Sequence, residues 1–156
     1  MAITICKGAN IVTVESIMLS NDLKELQRLG AFLQDASRTL QLDEMTLYRV
    51  NLVCDELVTN IILYGYPEDV LVDQAIRIDI EVVSDGWELR LTDRGIPFNP
   101  LLKSAPCIDL SVDERGIGGL GIHFVRQVMD DIRYERLNNE NVLMMVKRRV
   151  QEEGIL

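Results

Sequence analysis

The chain has 156 residues and a formal net charge of −9 at neutral pH. That length fits one domain with a sizeable core, and the acidic balance argues against a general nucleic-acid binder and against adhesion to anionic membranes. No run of eighteen apolar residues occurs, so no transmembrane helix is expected.

Met1–Lys7 lacks the charged and long apolar regions of a signal peptide. Cys6, Cys54 and Cys107 fit neither a disulfide framework nor a zinc site. Buried reduced thiols are expected, and with them a cytoplasmic location. There is no internal repeat and no low-complexity tract.

Ile3 to Leu19 is β-rich, with Lys7-Gly8-Ala9-Asn10 as a turn and partial alternation from Ile11. Ser20 or Asn21 can cap a helix whose first turn holds Asp22. Its stripe is Leu23, Leu26, Gly30, Leu33, Ser37 and Leu40. Asp43 can cap a second helix with the stripe Val50, Val53, Cys54, Leu57 and Ile61, stopped by Gly65 and Pro67. Ile76, Ile78, Ile80 and Val82 alternate with Arg77, Asp79 and Glu81; Ser84-Asp85-Gly86 turns the chain, and Trp87, Leu89 and Leu91 continue the apolar face.

Asn99 to Ile117 has no clean period, which suggests a binding loop or lid. A helix from about Gly119 to Met129 is expected to bury Leu120, Phe124 and Val128. Strands Asp131–Leu137 and Val142–Arg148 flank an Asn138-Asn139 turn. This order predicts one domain, 1–156, with a lid at about 99–117. The fold class is an α/β two-layer sandwich: a mixed, mostly antiparallel sheet with helices on one face.

Three segments carry chemistry. In Asp55-Glu56-Leu57-Val58-Thr59-Asn60, Glu56 and Asn60 share a helix face. Measured from Leu57 at ~3.6 residues per turn, Asn60 lies about 60° and Glu56 about 100° to the same side, at the border of core and surface. Asp55 points away. The Asn oxygen suits magnesium, and a Glu beside metal-bound phosphates can act as general base. The same spacing also describes an exposed Glu near a half-buried Asn.

In Thr92-Asp93-Arg94-Gly95-Ile96-Pro97-Phe98, Asp93 is in phase with Trp87, Leu89 and Leu91. A carboxylate on an apolar face is costly without partners. An adenine amino group is one partner; a turn capped by the strand-end Asp supplies others. Gly95 admits a close backbone approach to the base, and Pro97 and Phe98 give an apolar wall.

In Arg115-Gly116-Ile117-Gly118-Gly119-Leu120-Gly121, four of seven residues are glycine. Successive N–H groups entering a helix make an anion nest. No Lys-Ser or Lys-Thr follows, so it is not a Walker loop, and a flexible hinge is the alternative. Arg115 either assists phosphates or is solvated. His123, the only histidine, forms no triad and is expected to be structural.

In this order the three segments resemble the GHKL-type ATP-binding family, and among its branches the stand-alone anti-sigma factor serine/threonine kinases. Asp55 to Tyr66 resembles the N box, Asp93 to Phe98 the adenine box, and Arg115 to Gly121 with Val128-Met129-Asp130-Asp131-Ile132 the glycine box at the end of the lid. The resemblance spans about residues 20–148. It implies the GHKL ATP-binding fold and a Mg-ATP cofactor, with Glu56 as catalytic base and Asn60 as magnesium ligand. It also implies that Asp93 bonds the adenine amino group, that Gly95 lies against the base, and that Gly118, Gly119 and Gly121 contact phosphates. Arg115 and Gly116 join that cofactor-binding set.

The implied activity is phosphorylation of a Ser or Thr on an antagonist protein of anti-anti-sigma type. The implied partners are a sigma factor or similar regulator and a second copy in a homodimer. Two departures stand out. The family often has His where Tyr64 stands, and often a Thr near Val142-Leu143-Met144, where this strand is apolar. The alternative function is a nucleotide-binding module that sequesters a partner without phosphorylating it.

Overall fold

The computed structural model describes residues 2–7, 10–102 and 120–149. Strands β1 (Ala2–Lys7), β2 (Asn10–Leu19), β3 (Ile76–Val83), β4 (Gly86–Asp93), β5 (Asp131–Leu137) and β6 (Glu140–Arg148) form one sheet in the order β1-β2-β3-β4-β6-β5. Every neighbouring pair is antiparallel. Helices α1 (Glu25–Thr39), α2 (Glu44–Tyr64) and α3 (Leu120–Val128) form the second layer, with α2 between the other two. This is the expected α/β sandwich.

Strand alternation explains the core. Ile76, Ile78 and Ile80 on β3 are fully buried, and Leu89 and Leu91 on β4 pack beside them in register. They share one cluster with Leu29 and Leu33 of α1, Val50, Val53 and Val58 of α2, and Val125 of α3. Asp93 continues the inward phase of β4, with Ile76 opposite it on β3 and Asn141 opposite it on β6. The turn at Asn138 and Asn139 has positive φ at both residues, 51° and 65°. This two-residue conformation matches strand twist and fixes the hairpin register.

Asp43 caps α2, its Oδ1 accepting from the Thr46 N–H at 2.8 Å. The first helix differs from expectation. It begins at Glu25, with Lys24 as N-cap and no side-chain cap. Asn21 is engaged elsewhere, accepting from Val72 N and donating to Val70 O at 2.7 Å. Leu23 therefore precedes the helix and is 47% exposed, while Leu29, Leu33, Ala36 and Leu40 carry the buried stripe.

A similar shift occurs on α3. Ile122 and Val125, with Met129 just beyond its end, are buried; Phe124 and Val128 pack at the border of the core. Cys54 is buried, which pushes its thiol well above the ordinary value and leaves it unreactive. Cys107 lies outside the described residues. No described helix is long and apolar enough to cross a membrane.

Candidate functional site

A cavity of about 200 Å³ opens between α2, the end of β4, the start of α3 and the β5–β6 hairpin. Leu57, Ile61, Leu91, Ile122 and Leu143 give it an apolar body. Asn60, Asp93, Tyr134 and Asn141 are polar groups on its wall. A mostly apolar cleft with a few convergent polar groups is the usual form of a small-ligand site.

At the α2 wall, Glu56 and Asn60 are half-buried and Asp55 is exposed. The Asn60 Nδ2 donates to the Glu56 main-chain carbonyl at 2.8 Å and to Glu56 Oε1 at 3.1 Å. Both amide protons are thus held within one helical turn, which leaves Oδ1 as an acceptor. Such a neutral hard oxygen fits a magnesium ion. Among the described residues no cluster of three or more His, Cys, Asp and Glu is arranged to hold a metal. A cation here would thus be shared between Asn60 and ligand phosphates. Glu56 does not line the cavity; it stands one turn before Asn60, at the edge.

The opposite wall is a polar corner. Asp93 is 5% exposed. Its Oδ1 accepts from the Gly95 N–H at 2.8 Å and from Asn141 Nδ2 at 2.9 Å. Burial raises its pKa, against those two hydrogen bonds and the nearby Arg136 charge, which lower it. Asn141 also donates to Ile96 O at 2.9 Å, and its Oδ1 accepts from Tyr134 Oη at 2.8 Å and Arg136 Nη1 at 2.9 Å. Arg136 reaches Gly95 O at 3.0 Å as well. The loop after β4 is tied to the end of α2, where Ile96 N donates to Gly65 O at 2.8 Å.

Gly95 has a reason within the protein itself. A Cβ there would lie 2.6 Å from Gly65 O and 2.8 Å from Asp93 Oδ1. The close approach expected for a base is already made by the protein's own backbone. Ile96, Phe98 and Pro100 line the cavity mouth, and Pro100–Leu102 forms one 3-10 turn.

Arg115, Gly116, Gly118 and Gly119 lie outside the described residues, as does the expected lid from 103 onward. Gly121 falls in the first turn of α3, next to the cavity-lining Ile122. His123 is half-buried and within 3.1 Å of Gln127 Nε2, away from the cavity wall. Sequence reasoning missed Asn141, Tyr134 and Arg136. It began the last strand at Val142, whereas β6 starts at Glu140. The Asn138-Asn139 turn held the signal: a two-residue turn pairs Leu137 with Glu140 and so Arg136 with Asn141. Asn141, just before the apolar run Val142–Val146, therefore stands opposite Asp93.

The sequence of residues 19–147 matches the family described as histidine kinase-like ATPase domain. The chain belongs to this family. As a histidine kinase-like ATPase domain it is an ATP-binding protein. No curated protein matches it by sequence. Among solved structures it is similar to the RsbU and RsbW domains of Rv1364c from Mycobacterium tuberculosis. That likeness has 15% identity and a TM-score of 0.62, covering 86% of this chain and 32% of that one. The histidine kinase AdeS of Acinetobacter baumannii aligns over 85% of this chain and 66% of its own, at 18% identity and a TM-score of 0.44. The ATPase domain thus spans about a third of the first of these chains and about two thirds of the second. At such identity the first likeness speaks for the fold alone.

Proposed function

We propose that this domain is a Mg-ATP-dependent protein serine/threonine kinase of anti-sigma type that phosphorylates a small antagonist protein. The observation that carries the reading is the Glu56–Asn60 pair at the cavity edge. Asn60 keeps its oxygen as an acceptor because its amide protons are held by Glu56. Glu56 stands at the rim, within reach of a hydroxyl carried in by a protein rather than one enclosed with the nucleotide. Adenine would lie in the apolar body, with its amino group on Asp93. Gly118, Gly119 and Gly121, with Arg115 and Gly116, would face the phosphates. A magnesium ion on Asn60 would neutralise phosphate charge, the main requirement of phosphoryl transfer. Glu56 would accept the hydroxyl proton and orient the attacking oxygen.

The partners of this reading are an antagonist protein with an acceptor Ser or Thr, a sigma factor or similar regulator, and a second copy of the chain, all in the cytoplasm. One observation favours the binding-module alternative: Glu56 does not line the cavity. The test is transfer of γ-labelled phosphate from ATP to candidate antagonist proteins, with and without magnesium. Labelled Ser or Thr that depends on magnesium supports the kinase. Tight ATP and partner binding with no transfer to any cognate antagonist supports the module.

A further inference from the structure

We infer that Asn141 is a positioning residue that makes the cavity select adenine over guanine, by occupying the carboxylate oxygen that a second base donor would need. The inference rests on the cavity being the nucleotide site. It begins from the hydrogen-bonding capacity of a carboxylate. A lone Asp can take the guanine edge well, because N1–H and the 2-amino group are adjacent donors that match its two oxygens, as the fork of an Arg does. Adenine offers one exocyclic amino donor beside ring acceptors. An unencumbered Asp93 would therefore not exclude guanine.

Asp93 is encumbered on one side only. Its Oδ1 already accepts from Gly95 N and Asn141 Nδ2, at 2.8 and 2.9 Å, which uses both lone pairs. No hydrogen bond to Oδ2 is present among the described residues. The carboxylate is left with a single free acceptor oxygen on the cavity wall.

Asn141 cannot turn to release Oδ1. Its own oxygen accepts from Tyr134 Oη, Arg136 Nη1 and Phe98 N, at 2.8, 2.9 and 3.3 Å. The second proton of its Nδ2 goes to Ile96 O at 2.9 Å. Rotating the amide by half a turn would set its NH2 against three donors and its oxygen against a carboxylate and a carbonyl. The residue is 6% exposed, so water does not relieve that mismatch. Asn141 is thus fixed as a donor to Asp93, and neither of its amide protons is free for the 6-oxo group of guanine. The pocket reads one donor and offers none in return.

The test is titration calorimetry of the full chain with the diphosphates of adenosine, guanosine and inosine, in magnesium. Wild-type protein should favour ADP over GDP by about 10–100-fold, the discrimination typical of one well-placed base-edge pair. GDP and IDP should bind alike, because the extra 2-amino donor of guanine finds no acceptor. GDP binding more than tenfold tighter than IDP would overturn the inference without any variant. Asn141→Ala, checked for folding by circular dichroism, should narrow the ADP:GDP ratio at least tenfold. Asn141→Thr restores a donor to Asp93 and should restore the ratio. If Asn141→Ala weakens ADP and GDP by the same factor, Asn141 is merely structural. If wild-type protein binds none of the three, the nucleotide reading itself fails, a result distinct from binding without selectivity.

Discussion

At one wall of the cavity, Asn60 bonds to Glu56, which stands one turn before it on α2 at the cavity's edge. At the other, Asp93, Gly95, Tyr134, Arg136 and Asn141 come from three strands and a loop and bond in one network. The first wall is set by helix periodicity and depends on no distant contact. The second exists only when β4, β5 and β6 are in register. A side chain changed at the local wall should alter chemistry and leave the fold alone. A change in the network leaves a buried partner unpaired unless the replacement preserves its hydrogen bonds.

The largest effect should come from the local wall. Glu56→Gln keeps size and the acceptor oxygen for Asn60, and removes basicity. Phosphate transfer should fall by ~10²–10⁴-fold, the usual scale for a general base, with ATP affinity and melting temperature unchanged. Stopped-flow or filter-based transfer rates, read beside calorimetry, check this. A normal transfer rate would remove Glu56 from the proton-accepting role.

Next in size is Asp93→Asn, which separates recognition from stability within the network. Its Oδ1 can still accept from Gly95 N and Asn141 Nδ2. Its new Nδ2 replaces the free carboxylate oxygen, so a donor faces the adenine amino group. ATP affinity should drop by about 100-fold, corresponding to ~3 kcal/mol for a lost hydrogen bond to a charged group. The melting temperature should not fall, because burial already disfavours the Asp93 charge. A fall of several degrees with unchanged affinity per folded molecule would make Asp93 a cap and nothing more.

These two walls also explain how much the sequence disclosed. The α2 wall was legible because Glu56 and Asn60 lie four apart on one periodic helix. Asp93 was legible because its phase along β4 is a local property. Asn141 was not, because its meaning depends on which residue of another strand stands opposite. The start of α1 failed for the same reason: Asn21 has the chemistry of a cap, yet bonds to Val70 and Val72, which lie about fifty positions along the chain. For Gly95 the sequence suggested room for a base, whereas the contact seen to require a glycine is Gly65 O, again distant in sequence.

A pH series sharpens the contrast with a smaller effect. The folded pKa of Asp93 lies above that of an unfolded Asp, chiefly through burial. Between the two values the folded chain holds a proton that the unfolded chain has released. As pH falls through that window, the contribution of Asp93 to stability therefore rises. ATP affinity moves the other way, since protonation removes the acceptor. The loss approaches about tenfold per pH unit below the raised value. Calorimetry and melting curves of wild type and Asp93→Asn from neutral to mildly acid pH isolate the contribution of the Asp93 charge. A wild-type affinity that follows the variant's pH profile would show that the Asp93 charge is not used.

The smallest effect tests whether the network's hold on the base reaches beyond its own side chains. The half-buried Tyr66 lies just past α2; its hydroxyl donates to Ala75 O at 2.9 Å and accepts from Arg94 N at 3.1 Å. It thereby braces the loop next to Asp93 without lining the cavity. Tyr66→Phe removes both bonds and keeps the ring. Arg94 N retains Ala75 O at 3.3 Å, so no donor there is orphaned. The net loss should be ~1 kcal/mol, which lowers the melting temperature by roughly 2–4 °C in a domain of this size. ADP affinity should stay within twofold, because Gly95 and Asn141 still fix the carboxylate. If ADP instead weakens as much as it does in Asp93→Asn, the carboxylate is positioned by the backbone of the whole 93–96 turn, and the boundary between the two walls must be drawn to include the end of α2.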